Sequence, residues 1–164
     1  MKFLYAPWRM AYIRKFSEKS SECFLCKASK DRRDDVNLVV HRGSRCFVIL
    51  NRYPYNNGHI MVAPYKHAGK ISELDDDELI EMMQLLKLSI EVLEKEYKPD
   101  GFNVGLNLGR AAGAGLEDHL HFHVVPRWIG DTNFMPVISD TKVIPESLHE
   151  SWKRIRERFQ SLKA

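Results

Sequence analysis

A chain of 164 residues with 44% hydrophobic and 29% charged content has the size and balance of one globular domain that buries a core of its own. It holds no run near the roughly 18 consecutive apolar residues of a membrane span, and a net charge of +3 without a long basic block speaks against a nucleic-acid partner. The opening "MKFLYAPWRMAYIRK" is broken by Pro7, Arg9 and Arg14, lacks the apolar stretch of a secretory signal, and leads us to expect a cytoplasmic protein.

In chain order, the first chemical signal is Cys23-Phe24-Leu25-Cys26. With an odd total of three cysteines, this pair suits a metal or redox site better than a disulfide framework, and Cys46, in an apolar run, reads as a buried thiol. Strand-like runs follow in "NLVVHRG", "CFVILN" and "GHIMVAP", the last two separated by the turn-rich "RYPYNNG", which together predict a β-meander. Leu79, Met82, Met83, Leu86, Ile90, Leu93 and Tyr97 recur at helical spacing, so a long amphipathic helix is expected, with the Met pair in the core. Ser72 and Asp75 supply a candidate capping box, and Lys95, Lys98, Pro99 and Gly101 mark its end. "FNVGLNLG" returns to strand alternation, "RAAGAG" is a small-residue loop, and "HLHFHVVP" is a further strand ending at Pro126. Leu148, Trp152, Ile155, Phe159 and Leu162 predict a closing helix with Pro145 in its first turn. Strands grouped around one long helix, without a repeat or linker, give an α+β class with a mostly antiparallel sheet and a single domain over residues 1–164.

In a strand, alternate side chains share a face, so His119, His121 and His123 are expected on one side and Leu120, Phe122 and Val124 on the other. Three adjacent imidazoles repel one another when protonated, which makes a purely structural role improbable. Two kinds of chemistry fit: a zinc site with an open position, or nucleophilic catalysis in which one imidazole attacks phosphorus. The preceding "GLNLGRAAGAGLED" favours the second, because Gly109, Gly113 and Gly115 let successive backbone N–H groups converge on an anion beside the histidines. His41 and His149 lack such a setting and read as surface residues.

"HLHFHVV" matches the His-φ-His-φ-His-φ-φ signature, φ being apolar, and the chain resembles the histidine triad superfamily of nucleotide hydrolases and transferases over nearly its whole length. "LNRYPYNNGHIMVAPYKH" and "GFNVGLNLG" stand in that family's order, while "VVPRW", "GDTNF" and "KVIP" look like its diadenosine tetraphosphate phosphorylase-like branch. The resemblance implies a HIT-like fold, a nucleotide substrate and a homodimer. It further implies His121 as the nucleophile that takes a nucleotidyl group, with His123 delivering a proton or hydrogen bond to the leaving oxygen. Asn51 falls at a ribose position, His59 near the phosphates, Asn107 before the phosphate loop, and Trp128 where it could stack on a base or simply fill core. Many members carry glutamine four residues before the triad; Gly115 stands there here and leaves only its backbone N–H for phosphate.

Some members and the related galactose-1-phosphate uridylyltransferases complete a zinc site from such a cysteine pair. The positions that match are His67, in "VAPYKH", and His119, so the resemblance implies a structural zinc on Cys23, Cys26, His67 and His119, and no organic cofactor. The main reading is cleavage of dinucleoside polyphosphates at the α-phosphate, by phosphorolysis or hydrolysis. Nucleoside phosphoramidate hydrolysis, a non-catalytic nucleotide sensor, and a zinc hydrolase using the triad as ligands are the alternatives.

Overall fold

A computed structural model describes residues 23–133 and 143–162. The N-terminal segment read for a signal lies outside these residues, as do Phe134 of "GDTNF" and Lys142 of "KVIP". Short helices α1 (Phe24–Lys30) and α2 (Asp34–Asn37) lead into strands β1 (Val39–Arg42), β2 (Cys46–Leu50) and β3 (Ile60–Pro64). The long helix α3 (Asp76–Tyr97), strands β4 (Gly101–Leu106) and β5 (Phe122–Arg127), and helix α4 (Leu148–Ser161) complete the described chain. The strands form one antiparallel sheet in the order β1-β2-β3-β5-β4, the α+β architecture expected. Among the described residues, no helix is long and apolar enough to cross a membrane.

β2 and β3 are buried at every position because the centre of the sheet is covered on both faces, which explains their unbroken apolar sequences. Helix α3 packs on β2, β3 and β5 and on α4, presenting Met82, Leu85, Leu86, Val92 and Leu93 to the core. Its methionines divide: Met82 is buried, but Met83, one residue round the helix, is exposed. The cap also differs from expectation. Asp75 is the N-cap, accepting from the Glu78 N–H at 2.8 Å while Glu78 accepts from the Asp75 N–H at 2.9 Å; Ser72 lies in a separate 3-10 turn, Ile71–Glu73. Lys98 ends α3 in the left-handed conformation with φ 46°.

α4 starts behind Ser147, whose hydroxyl accepts from the Glu150 N–H, so Pro145 precedes the helix instead of opening it. Ile155 and Phe159 anchor α4 in the core. His41 is half-buried and stacked on the Phe159 ring at a centroid distance of 5.0 Å, so it is part of this packing and not a surface residue; His149 is exposed, against Trp152. The Cys46 thiol is wholly buried as expected, and burial pushes its pKa up to about 12.

Candidate active site

The connection between β2 and β3 is pinched shut where the Asn51 N–H donates to the His59 carbonyl at 2.9 Å. Antiparallel pairing of β3 with β5 then sets Met61 opposite His123, which brings His59 and His123 to the same end of the sheet. Gly58, just before His59, has φ 72°, and a Cβ there would lie 3.1 Å from the Tyr97 ring; a larger residue would push the turn off α3.

The strand bearing the histidines begins later than the alternation suggests. β5 starts at Phe122, while His119, Leu120 and His121 form an irregular, fully packed approach in which all three side chains are buried. The Leu120 N–H donates to the Ala68 carbonyl at 2.7 Å, and Gly69 packs so tightly that an added Cβ would stand 2.9 Å from the Glu117 carbonyl oxygen. His119 and His121 thus precede β5, and of the three histidines His123 lies within the strand. Each histidine finds separate partners.

A carbonyl oxygen can only accept, so each imidazole nitrogen facing one carries the proton. His119 donates from Nε2 to the Pro64 carbonyl at 2.8 Å, leaving the Nδ1 lone pair 3.3 Å from Cys23 Sγ, 3.4 Å from Cys26 Sγ and 3.3 Å from His67 Nδ1. His121 donates from Nδ1 to the His119 carbonyl at 2.9 Å, which leaves the lone pair of its neutral ring on Nε2. The Tyr55 N–H donates to His59 Nδ1 at 3.1 Å, so His59 donates from Nε2 to His123 Nδ1 at 2.9 Å. The proton of neutral His123 consequently sits on Nε2. The His121 and His123 rings meet edge to face with centroids 4.8 Å apart.

Burial dominates the electrostatics. Desolvation lowers the His121 pKa against the opposing effect of its hydrogen bond to the His119 carbonyl, and lowers His119 to about 4. His59, fully buried, is driven well below the ordinary imidazole value, first by desolvation and then by the neighbouring His123 and His121.

The four atoms Cys23 Sγ, Cys26 Sγ, His67 Nδ1 and His119 Nδ1 lie within 4.8 Å of one another and could hold a metal ion. Tetrahedral zinc with ordinary bond lengths needs about 3.3 Å between nitrogens and about 3.6 Å between nitrogen and sulfur. The observed 3.3 Å between nitrogens and 3.2 Å from Cys26 Sγ to His67 Nδ1 are close to that demand. Two thiols and two imidazole lone pairs are also the right donor set.

Between β4 and β5, Gly109 and Gly113 adopt φ 73° and 84°, conformations that fold the exposed segment around the 3-10 turn Arg110–Ala112. Asn107 precedes this loop and Gly115 ends it, both in the expected order. A HIT domain model matches residues 32–128.

The chain belongs to the HIT family.

It is 41% identical over 154 residues to an AP-4-A phosphorylase of Mycobacterium tuberculosis (strain CDC 1551 / Oshkosh), spanning 90% of this chain and 79% of that relative. A hypothetical histidine triad nucleotide-binding protein from Sulfolobus tokodaii strain7 superposes with a TM-score of 0.68 at 30% identity, covering 86% of this chain and 94% of its own. A zinc-bound histidine triad family protein from Mycobacterium smegmatis shares the fold, with a TM-score of 0.68 at 21% identity over 88% and 98% of the two chains. The chain is thus a HIT-type nucleotidyl enzyme, a nucleotide hydrolase or transferase.

Within this HIT enzyme, His59, His121 and His123 come together as one row, and Asn51 joins them with its amide 3.4 Å from both His59 ring nitrogens and its side-chain carbonyl accepting from the Tyr53 N–H. Trp128 is not brought there. It follows the far end of β5, roughly 17 Å along an extended strand from His123, and stands edge-on to Tyr97. Sequence reasoning passed over Tyr55 and the Pro64 carbonyl, whose contributions are backbone groups with no residue-type signal. It also passed over Arg110, an exposed cation in the glycine loop, 3.9 Å from Glu117.

The buried imidazoles make stability depend on pH in a definite direction. Their folded pKa values lie below the unfolded value of 6.5, so the unfolded chain binds more protons and acid favours it. We expect the stabilisation from His59 and His121 to be complete above 6.5 and to drain away as pH falls below it. Urea midpoints measured across that fall should decrease steadily; a flat profile would contradict the burial of neutral rings.

Proposed function

We propose that this HIT enzyme is a single-domain, cytoplasmic phosphorylase or hydrolase of dinucleoside polyphosphates that works through a nucleotidyl-His121. The observation that carries this reading is the His121 ring itself, buried and neutral, with Nδ1–H tied to the His119 carbonyl and its lone pair on Nε2 beside His123. Nε2 forms a bond to the α-phosphorus as the bond from phosphorus to the leaving polyphosphate oxygen breaks. His123, held by His59 with its proton on Nε2, gives that proton or a hydrogen bond to the departing oxygen. Phosphate or water then displaces His121 from phosphorus.

The glycine loop supplies the anion site, with the N–H of Gly115 as phosphate donor and Gly113, whose own N–H donates to the Arg110 carbonyl at 2.9 Å, shaping the turn. Asn51 is assigned to the ribose, and Asn107 with His59 to the phosphate region. The name of the Mycobacterium tuberculosis relative, AP-4-A phosphorylase, supports the substrate class. A hydrolase with the triad as metal ligands fits the geometry poorly, because the His119 Nδ1 lone pair is turned to the Cys23, Cys26 and His67 cluster and His123, accepting from His59 at Nδ1, carries its proton on Nε2.

We assign the cluster of Cys23, Cys26, His67 and His119 to a structural zinc. It would cross-link α1 to the approach of β5, and no step of the reaction passes through it. A reducing cytoplasm suits the two thiolates. The outer edge of β4 has no partner strand among the described residues and exposes Asn103, Val104 and Gly105, which supports a homodimer built on that edge.

Chromatography of products from diadenosine tetraphosphate tests the reaction. ATP should form in every case, with ADP only when inorganic phosphate is supplied if phosphate is the acceptor, or AMP in both conditions if water is. His121→Ala should lower kcat by roughly a thousandfold or more while nucleotide binding persists, and near-normal turnover would refute the nucleophile. For the metal, elemental analysis should find equimolar zinc, and chelator or Cys26→Ser should lower the melting temperature. Protein without zinc whose melting ignores chelator would remove the assignment. Light scattering should give twice the chain mass, with Val104→Lys shifting it to the monomer; a monomeric wild type would end the dimer proposal.

A further inference from the structure

Tyr55 sits in the connection between β2 and β3. Its backbone N–H is engaged by His59, but its side chain is 51% exposed. The ring tilts over two members of the buried row, with centroids 4.7 Å from His59 and 5.8 Å from His123. An aromatic ring so placed, half against the site and half in solvent, offers an apolar surface to whatever enters beside His123.

The chemistry of the row says what that is. In-line displacement at phosphorus puts the leaving oxygen on the far side from the attacking nitrogen. Starting at His121, the next ring is His123, 4.8 Å away, and Tyr55 follows at 5.8 Å from His123. The exposed ring therefore stands at the leaving-group end. The leaving half of a dinucleoside polyphosphate ends in a flat base, and stacking of a base on an aromatic side chain is tolerant of base identity. A mononucleotide substrate presents no such base.

We propose that Tyr55 is the stacking platform for the base of the leaving nucleotide, a specificity-determining residue that favours dinucleotide over mononucleotide substrates. The proposal rests on the nucleotidyl-histidine reading above and adds a binding partner for the half of the substrate that departs.

Tyr55→Ala removes the ring but keeps the N–H that holds His59, and a thermal melt checks that the variant is folded. With the full chain, kcat/KM for diadenosine tetraphosphate should fall roughly tenfold or more, as loss of one base stack implies. For adenosine 5'-phosphoramidate, whose leaving group has no base, it should stay within about twofold. Tyr55→Phe should retain both activities. Equal losses on both substrates would make Tyr55 a support for His59 and overturn the proposal, as would unchanged cleavage of diadenosine tetraphosphate. Calorimetry with a non-hydrolysable, methylene-bridged diadenosine tetraphosphate and with adenosine tetraphosphate separates this test from turnover. Wild type should bind the dinucleotide more tightly, and Tyr55→Ala should erase the difference. A wild type inert on both substrates would sink the reaction, while a dinucleotide preference that survives Tyr55→Ala, or is absent from wild type, would sink the platform.

Discussion

His119 is the residue on which the site turns, because three different bonds leave it in three directions. Its Nε2–H is anchored on the Pro64 carbonyl at the end of β3, its Nδ1 lone pair joins the Cys23, Cys26 and His67 cluster, and its own carbonyl accepts from His121. The ring is fully buried, so a lost partner would leave a polar atom without water to replace it. The cost of breaking any one bond is thereby raised. Sheet, cluster and the His121 ring are linked through a single side chain and its peptide group.

The other side of the row is held with comparable care, through polar contacts that carry no chemistry themselves. Buried Asn56 donates both to the Pro126 carbonyl at 3.0 Å and to Asp131 at 2.7 Å, while its own carbonyl accepts from the His59 N–H. Asp131 in turn accepts from Arg127, which reaches Asn103 on β4 at 2.6 Å. Asn57 meets Glu146, which also accepts from Tyr97, Ser151 and Arg154. The turn that carries His59 is thus fastened to β5 on one side and to α3 and α4 on the other. Loops are ordinarily the mobile parts of a domain, and this one is restrained by buried hydrogen bonds.

Much of this was legible in the sequence because period and composition carry it. The apolar runs around Val48 and Val62, the three-and-four spacing from Leu79 to Leu93, and the glycines around Arg110 each announce a local conformation. The alternation of His119, His121 and His123 marked the site but overstated the strand, because β5 begins only at Phe122 and the Leu120 N–H before it pairs with the Ala68 carbonyl. Trp128 illustrates another limit. Residue type left it open between stacking on a base and filling core, and five residues beyond His123 is a long way along an extended strand, where it stands edge-on to Tyr97. The partners of His59 and His119 were invisible for a simpler reason: they are the N–H of Tyr55 and the carbonyl of Pro64, groups that every sequence possesses everywhere.

Three imidazoles in five residues looked like a conflict of like charges, and the structure resolves it by giving each ring a different duty. Repulsion requires protonation, and burial keeps His119, His121 and His59 on the neutral side. A neutral imidazole has one donor and one acceptor, so fixing one nitrogen determines the other. The His119 carbonyl fixes His121 as a lone pair on Nε2; the Tyr55 N–H, acting through His59, fixes His123 as a proton on Nε2. In the proposed reaction one ring is thereby prepared to attack and its neighbour to donate, although the two are chemically identical. What distinguishes them is the backbone group at the end of each hydrogen-bond chain, an acceptor in one case and a donor in the other.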